Sequence, residues 1–347
     1  MDTCSALGTT AQQVSTFEEL KTLLTSSEPL PNPEELKIDY KGEPSTEDPF
    51  DSESLPPTLQ SLKSLSLNSI PLYPAFQKIN TLTKFIYAIP ADVSVDTVLD
   101  FLEHNVSLMH LELYILSHCD NFRSSTHTDP ISNRLKYLKI VAVEIEYLEV
   151  LIPRIHVQST GDARLAITSW DILYEDYGMI VSDLNKIYFK GQEPPTIAAQ
   201  GTRSIELSRP GSTYPTLSLS IDPPTSPASL EYFKKILEPS DLSFKAIQNL
   251  VLVRSHNDEA FNPSMFPALD LLVICNDTKL STTLSKLFSS PHLSPPTLRA
   301  IAFQDCNLSE GFKQELAQFA ECIKKKTCWD RPWPFEGLGE LCLLINL

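Results

Sequence analysis

A short hydrophobic phrase recurs along most of this chain and limits what it can fold into. It reads Leu62-x-x-Leu65-x-Leu67, then Leu82-x-x-Phe85-x-Tyr87, Leu108-x-x-Leu111-x-Leu113 and Leu135-x-x-Leu138-x-Ile140. It returns as Leu184-x-x-Ile187-x-Phe189, Ile247-x-x-Leu250-x-Leu252, Leu269-x-x-Leu272-x-Ile274 and Leu298-x-x-Ile301-x-Phe303. Shorter echoes stand at Leu165-x-Ile167, Ile205-x-Leu207 and Leu217-x-Leu219. Fourth-position residues 65, 85, 111 and 138 lie 20, 26 and 27 apart; 250, 272 and 301 lie 22 and 29 apart. Periods of roughly 20–29 residues belong to stacked repeats, in which each unit has an apolar face that only its neighbours can cover.

Between the phrases the hydrophobic period lengthens to about 3.6. Val95, Val98, Leu99 and Leu102 mark one helix, with Ser94 as its cap. Ser226-Pro227 opens a second through Leu230, Phe233 and Leu237, and Leu280, Leu284, Leu287 and Phe288 mark a third. Ser309 caps a fourth carrying Phe312, Leu316, Phe319 and Ile323, followed by Lys324 to Lys326 where a helix end favours cations. The predicted fold is therefore α/β, a leucine-rich-repeat solenoid: an irregular horseshoe with parallel strands on the concave face and helices on the convex face. The alternative is an ordinary α/β domain, whose doubly covered strands read as continuous apolar runs. Here Lys, Ser, Glu and His separate several of the leucines, which favours a sheet with one open face.

Residues 1–54 differ. Thr16-Phe17-Glu18-Glu19 is a capping-box pattern ahead of an apolar stripe at Phe17, Leu20, Leu23 and Leu24. The proline- and acid-rich stretch that follows reads as a loosely held arm. The expected organisation is an N-terminal helix and arm over 1–54, a solenoid over 55–326 and a tail or cap over 327–347.

The formal net charge is −16, which weighs against a nucleic-acid or anionic membrane partner. Only 10 glycines occur, which disfavours folds built on glycine-rich phosphate loops, and no G-x-x-x-x-G-K-[ST] string is present. The seven cysteines have no framework spacing and no CxxC pair, so neither a disulfide scaffold nor a structural zinc site is expected. With no signal peptide and no run of 18 apolar residues, the expected location is cytoplasmic or nuclear, and sequons at Asn105, Asn276 and Asn307 then carry no weight. His104, His110, His118 and Cys119 are close in sequence but fall on different elements, so they are not expected to converge on a metal. Cys322 and Cys328 beside the lysine triplet, and the pairs Glu175-Asp176 and Asp258-Glu259, read as ordinary thiols and solvated charges. No catalytic motif is present, so no cofactor or metal is expected, and an enzyme with an unrecognised site is the less favoured alternative.

The strings SLKSLSLNSI, FLEHNVSLMHLELYI and PPTLRAIAFQDCNLSEGFKQELAQF resemble fungal leucine-rich-repeat proteins, in which similar repeats follow an F-box or a nucleotide-binding, immune-receptor-like module. The resemblance covers roughly residues 55–325. Cys306 and Leu308 match the repeat consensus, whereas Ile70, Leu116, Val143 and Ser255 depart from it. It implies a recognition surface without its effector: a substrate-recognition subunit of a ubiquitin ligase, or the repeat domain of a sensor lacking its nucleotide-binding module.

Strand side chains alternate between faces. With the first, fourth and sixth phrase positions inward, the open face of the central units offers His110, Glu112 and Tyr114, then Tyr137 and Lys139, then Lys186, Tyr188 and Lys190. Ser64, Ser66, Lys84 and Ile86 precede them, and Ser204, Glu206 and Ser208 follow. Tyrosines suit an interface anchor and lysines suit steering of an acidic protein partner, although both also occur as ordinary solvated strand residues. The last units instead place Val251, Val253, Leu271, Val273, Ala300 and Ala302 on that face. Either the tail, with Trp329, Trp333, Phe335 and Leu341 to Leu344, covers this apolar patch, or a partner does. Deleting residues 327–347 is expected to cause aggregation or binding of a hydrophobic dye; unchanged solubility and dye binding would count against the internal cap.

Overall fold

The recurring phrases align as rows across a sheet. In a computed structural model, residues 11–14, 16–25, 34–41, 59–74, 76–122, 124–167, 180, 182–183, 194–201, 203–211, 217–221, 230–238, 244–253, 261–289, 295–323 and 343–346 are described. They fall into two compact units, Met1–Ser169 and Trp170–Leu347.

In the first unit, strands β2 (Glu35–Tyr40), β3 (Ser64–Asn68), β4 (Lys84–Ala88), β5 (His110–Ile115), β6 (Ile131–Ala142) and β7 (Ile155–Ile167) pair in parallel and in chain order. A short β1 (Ala11–Val14) joins β2, also in parallel. Register sets Leu36, Leu65, Phe85, Leu111 and Leu138 in one row and Ile38, Leu67, Tyr87, Leu113 and Ile140 in the next. All ten are buried. Leu36 and Ile38 lie in the stretch read as a loose arm, so the sheet begins before residue 55. Between the rows the side chains of β3, β4 and β5 are only partly covered, which leaves one face of these strands open.

The same backbone clasp starts each of these strands. Glu34 O accepts from the N–H groups of both Lys63 (2.8 Å) and Ser64 (2.9 Å). Lys63 O does the same for Thr83 and Lys84, Thr83 O for Met109 and His110, and Met109 O for Lys136 and Tyr137. Each carbonyl thereby holds the register of the next strand: Ser64, Lys84 and His110 open β3, β4 and β5, and Tyr137 lies within β6. Thr81 Oγ1 adds a bond to Leu62 O (2.6 Å).

Helix α1 (Phe17–Thr25) opens with the expected capping box: Glu19 N–H donates to Thr16 Oγ1, and Thr16 N–H donates to Glu19 Oε2, both at 3.2 Å. Helix α2 (Val95–His104) begins as the sequence requires, with Thr97 N–H donating to Ser94 Oγ (3.2 Å). It buries Val95, Val98, Leu99, Phe101 and Leu102, and Phe101 meets Phe85 of the sheet at 4.4 Å between ring centroids. It ends at a fully buried Asn105, whose amide donates to Phe101 O (2.8 Å). Helix α3 (Ile145–Leu151) buries Tyr147 and Leu148, and Tyr147 Oη accepts from Cys119 N–H (2.7 Å).

The second unit holds β8 (Ile197–Gln200), β9 (Ser204–Ser208), β10 (Leu217–Ile221), β11 (Asn249–Val253), β12 (Leu271–Cys275), β13 (Ala300–Gln304) and β14 (Leu343–Asn346). Strands β8, β11, β12 and β13 are parallel neighbours. Clasps recur at Thr196, Gln248 and Asp270, and Thr297 Oγ1 reaches Leu269 O (2.7 Å) as Thr81 reaches Leu62. Ser69, Asn276 and Asp305 each follow a strand and share a left-handed φ of 51–59°. Asn and Asp tolerate that conformation better than most residues.

This sheet is mixed, which departs from the all-parallel expectation. Strand β9 runs antiparallel to β8, and β10 antiparallel to β9. Only residues 201–203 join β8 to β9, whereas a parallel crossover needs a dozen or more. Strand β14 pairs antiparallel with β13. Helix α4 (Leu230–Leu237) buries Leu230, Phe233, Ile236 and Leu237; Ser226 and Pro227 lie outside the described residues. The third expected helix is two short ones, α5 (Leu280–Thr283) and α6 (Ser285–Ser289). Helix α7 (Glu310–Ile323) is capped as expected, by Phe312 N–H on Ser309 Oγ (3.2 Å).

Both faces of β12 and β13 are buried. Val251, Leu271, Val273, Cys275, Ala300 and Ala302 form one cluster against Ala199 and Val253. These side chains are buried within the chain; Trp329, Trp333, Phe335 and Leu341 lie outside the described residues. Among the described residues, no helix is long and apolar enough to cross a membrane. Truncating Leu111 to Ala at the centre of the first unit's row should cost about 2–5 kcal/mol in urea unfolding. Ser66→Ala on the open face should stay within about 0.5 kcal/mol. Equal losses would contradict the one-sided burial of these strands.

Candidate functional site

The open face of β5 and β6 carries a group of polar side chains locked to one another. Alternation along β5 puts His110, Glu112 and Tyr114 on one side, and register sets His110 opposite Tyr137 and Glu112 opposite Lys139. The sequence read these five as open-face residues, and the structure brings all five together. Lys186, Tyr188 and Lys190 lie outside the described residues.

Hydrogen bonds converge on Glu112 from both sides of the group. Lys139 Nζ donates to Tyr114 Oη (2.7 Å), which donates to Glu112 Oε2 (2.6 Å). His110 Nε2 lies 2.8 Å from the other oxygen, Glu112 Oε1. An ionised carboxylate only accepts, so Nε2 carries the proton, and in the neutral ring Nδ1 is then an acceptor. The His110 and Tyr137 rings stack at 4.2 Å, and Lys139 Nζ sits 4.8 Å from the Tyr114 ring centroid. Lys139 Nζ is also 3.7 Å from Glu112 Oε2.

Partial burial sharpens these interactions, since Glu112 is 16% exposed against 31% for both His110 and Lys139. Burial pushes the Glu112 carboxyl upward. The hydrogen bonds from Tyr114 and His110, with the Lys139 charge, outweigh it and leave the group below its ordinary value. For Tyr114, burial and the Glu112 hydrogen bond raise the phenol despite Lys139. Burial lowers Lys139, but Tyr114 and Glu112 more than compensate, so its ammonium is held above the usual range.

Within the cluster the Lys139 charge is paired with Glu112. What the site presents is a stacked ring pair, a fixed imidazole and a phenol already oriented. Chemically it offers ring faces and fixed hydrogen-bonding groups to a surface laid across the strands. Its margin continues to Lys84 opposite His110 and Ile86 opposite Glu112, then to Ser64 and Ser66 on β3. Ser204, Glu206 and Ser208 belong to the second unit, where Ser218 Oγ donates to Glu206 (3.4 Å).

The other singled-out groups do not join this site. His104 Nδ1 meets Asp100 O (2.7 Å) and His118 pairs with Glu144, so the three histidines have separate partners. Cys119 is buried, with its thiol near Ser117 O (3.4 Å). Cys328, Glu175, Asp176, Asp258 and Glu259 lie outside the described residues, as does the Cys322 side chain.

Glu112→Gln should reduce stability by about 1 kcal/mol at pH 7. Because the folded carboxyl lies below its unfolded value, about 4.3, the contribution is complete above that value and fades as pH falls through the folded one. The gap between wild type and variant should therefore shrink by pH 3 in urea unfolding; a pH-independent gap would contradict the network. In comparison with known proteins, no family model matches the chain and the curated proteins return no match, so the functional reading rests on this geometry.

Proposed function

We propose that this chain is a leucine-rich-repeat solenoid acting as a non-catalytic recognition scaffold, with a protein partner bound across the open face of β5 and β6. The observation that carries it is the interlocked group of His110, Glu112, Tyr114, Tyr137 and Lys139 on strands whose opposite face is core. Groups already held by one another lose little freedom when a partner arrives, and stacked aromatic rings are typical anchors. The repeat reading is supported by clasps at the start of successive strands and by left-handed residues at matching positions. Both oxygens of Glu112 are occupied, and Tyr114 and Lys139 donate inward, which suits a rigid surface better than proton transfer to a substrate. A net charge of −16 with the site's lysine neutralised argues for a protein rather than a nucleic acid.

On the resemblance to fungal repeat proteins, the partner is a substrate brought to a ubiquitin ligase; the sensor reading is the alternative. Proximity labelling in the native cell, comparing wild type with His110→Ala/Tyr137→Ala, tests the surface. We expect the double variant to fold normally and to bind its principal labelled partner about thirtyfold more weakly, the loss of one 2 kcal/mol hot spot. Undiminished partner binding by the folded variant overturns the proposal. Recovery of a ligase adaptor favours the first reading, and a nucleotide-binding protein the second.

A further inference from the structure

Away from that face, Asp96, Asp100 and Glu103 stand four and three residues apart on α2, hence along one side of the helix, while Val95, Val98, Leu99, Phe101 and Leu102 are buried. The connection from β5 to β6 is fastened along this ridge. Ser125 Oγ (2.5 Å), Thr126 Oγ1 (2.7 Å) and Thr126 N–H (3.1 Å) donate to the Asp96 carboxylate. The next residue, His127, is held from both sides of its backbone: its N–H donates to Ser125 Oγ (3.1 Å) and its carbonyl accepts from Arg154 Nε (2.7 Å). Arg154 is itself anchored, through Nη1 on Val150 O (2.6 Å).

This fastening delivers an imidazole to two carboxylates. His127 Nε2 lies 3.0 Å from Asp100 Oδ1, and one ligand atom each of Asp100, Glu103 and His127 fall within 4.8 Å of one another. We propose that these three side chains form a divalent transition-metal site, with Zn²⁺ as its preferred ion.

The geometry and the donor set both support that ion. With metal–ligand bonds of about 2.0–2.2 Å, tetrahedral donors lie about 3.3–3.6 Å apart. The His127–Asp100 pair needs to open by only a few tenths of an ångström. Glu103 is exposed, so its carboxylate can swing in without disturbing the core. An imidazole nitrogen with two carboxylate oxygens suits Zn²⁺ and its neighbours better than Ca²⁺ or Mg²⁺, which take oxygen ligands. Three protein ligands leave one position for water or an incoming group. Two come from a helix turn and the third from a strand connection, so the ion ties that connection to α2. No local sequence signal joins these residues, because His127 and Glu103 are separated in the chain by the whole of β5.

Zn²⁺ binding to the full chain, measured by equilibrium dialysis and by the visible absorption of substituted Co²⁺, tests the site. Because other cysteines and histidines also take zinc, the readout is the difference between wild type and the variants Glu103→Gln and His127→Ala. Glu103→Gln alters only an exposed helix position and should leave the fold intact. We expect wild type to hold one more ion than His127→Ala and to melt higher with Zn²⁺, with affinity reduced at least tenfold in each variant. Equal stoichiometry and affinity in all three proteins overturn the proposal. So does a cation preference for Ca²⁺ or Mg²⁺ that His127→Ala leaves unchanged.

Discussion

One carbonyl accepting from two successive N–H groups holds the register between neighbouring parallel strands over much of both units. Because side chains alternate, a slip of one residue would turn Glu112 into the core and Leu111 out of it. The clasps at Glu34, Lys63, Thr83 and Met109 prevent that slip in the first unit, and those at Thr196, Gln248 and Asp270 do so in the second. Leucine rows and polar face are two results of one register. His110 meets Tyr137, and Glu112 meets Lys139, only while that register holds.

The two units use the same backbone pattern for different ends. In the first, the positions between the rows are Ser, Lys, Ile, His, Glu and Tyr, and the face stays partly open. In the second, Val251, Leu271, Val273, Cys275, Ala300 and Ala302 fill the matching positions of β11, β12 and β13, and that face becomes a second core. Even the polar edge of the second unit is closed inward. Arg299 pairs through two nitrogens with Asp270, and the Asp270 carbonyl is itself a clasp. Asp277, buried, is satisfied by Lys279 N–H (2.6 Å) and Thr283 Oγ1 (2.5 Å).

Much of this was legible because a period-2 pattern fixes which side chains face inward. The phrases locate β3 to β6 and β11 to β13, and Ser94, Thr16 and Ser309 cap the helices they were expected to cap. Leu36 and Ile38 escaped notice because proline occupies the first phrase position and acids surround it, so composition concealed a strand that register reveals. The antiparallel direction of β9 and β10 depends on connection length, which the phrase does not encode. At the site, the five residues were foreseen but the neutralisation of Lys139 was not. That follows only when the β5 and β6 sequences are written side by side in register. His127 had no local signal, since its relation to α2 depends on the path of a long connection.

Asn105 places a chemical restriction on the life of this molecule. Its side-chain amide is wholly enclosed and gives a hydrogen to Phe101 O, yet Asn105-Val106-Ser107 is a sequence to which carbohydrate can be joined. A sugar on that nitrogen would have to occupy space already filled by protein. Glycosylation there and completion of the fold are mutually exclusive, whereas Asn276 and Asn307 lie exposed and carry no such conflict.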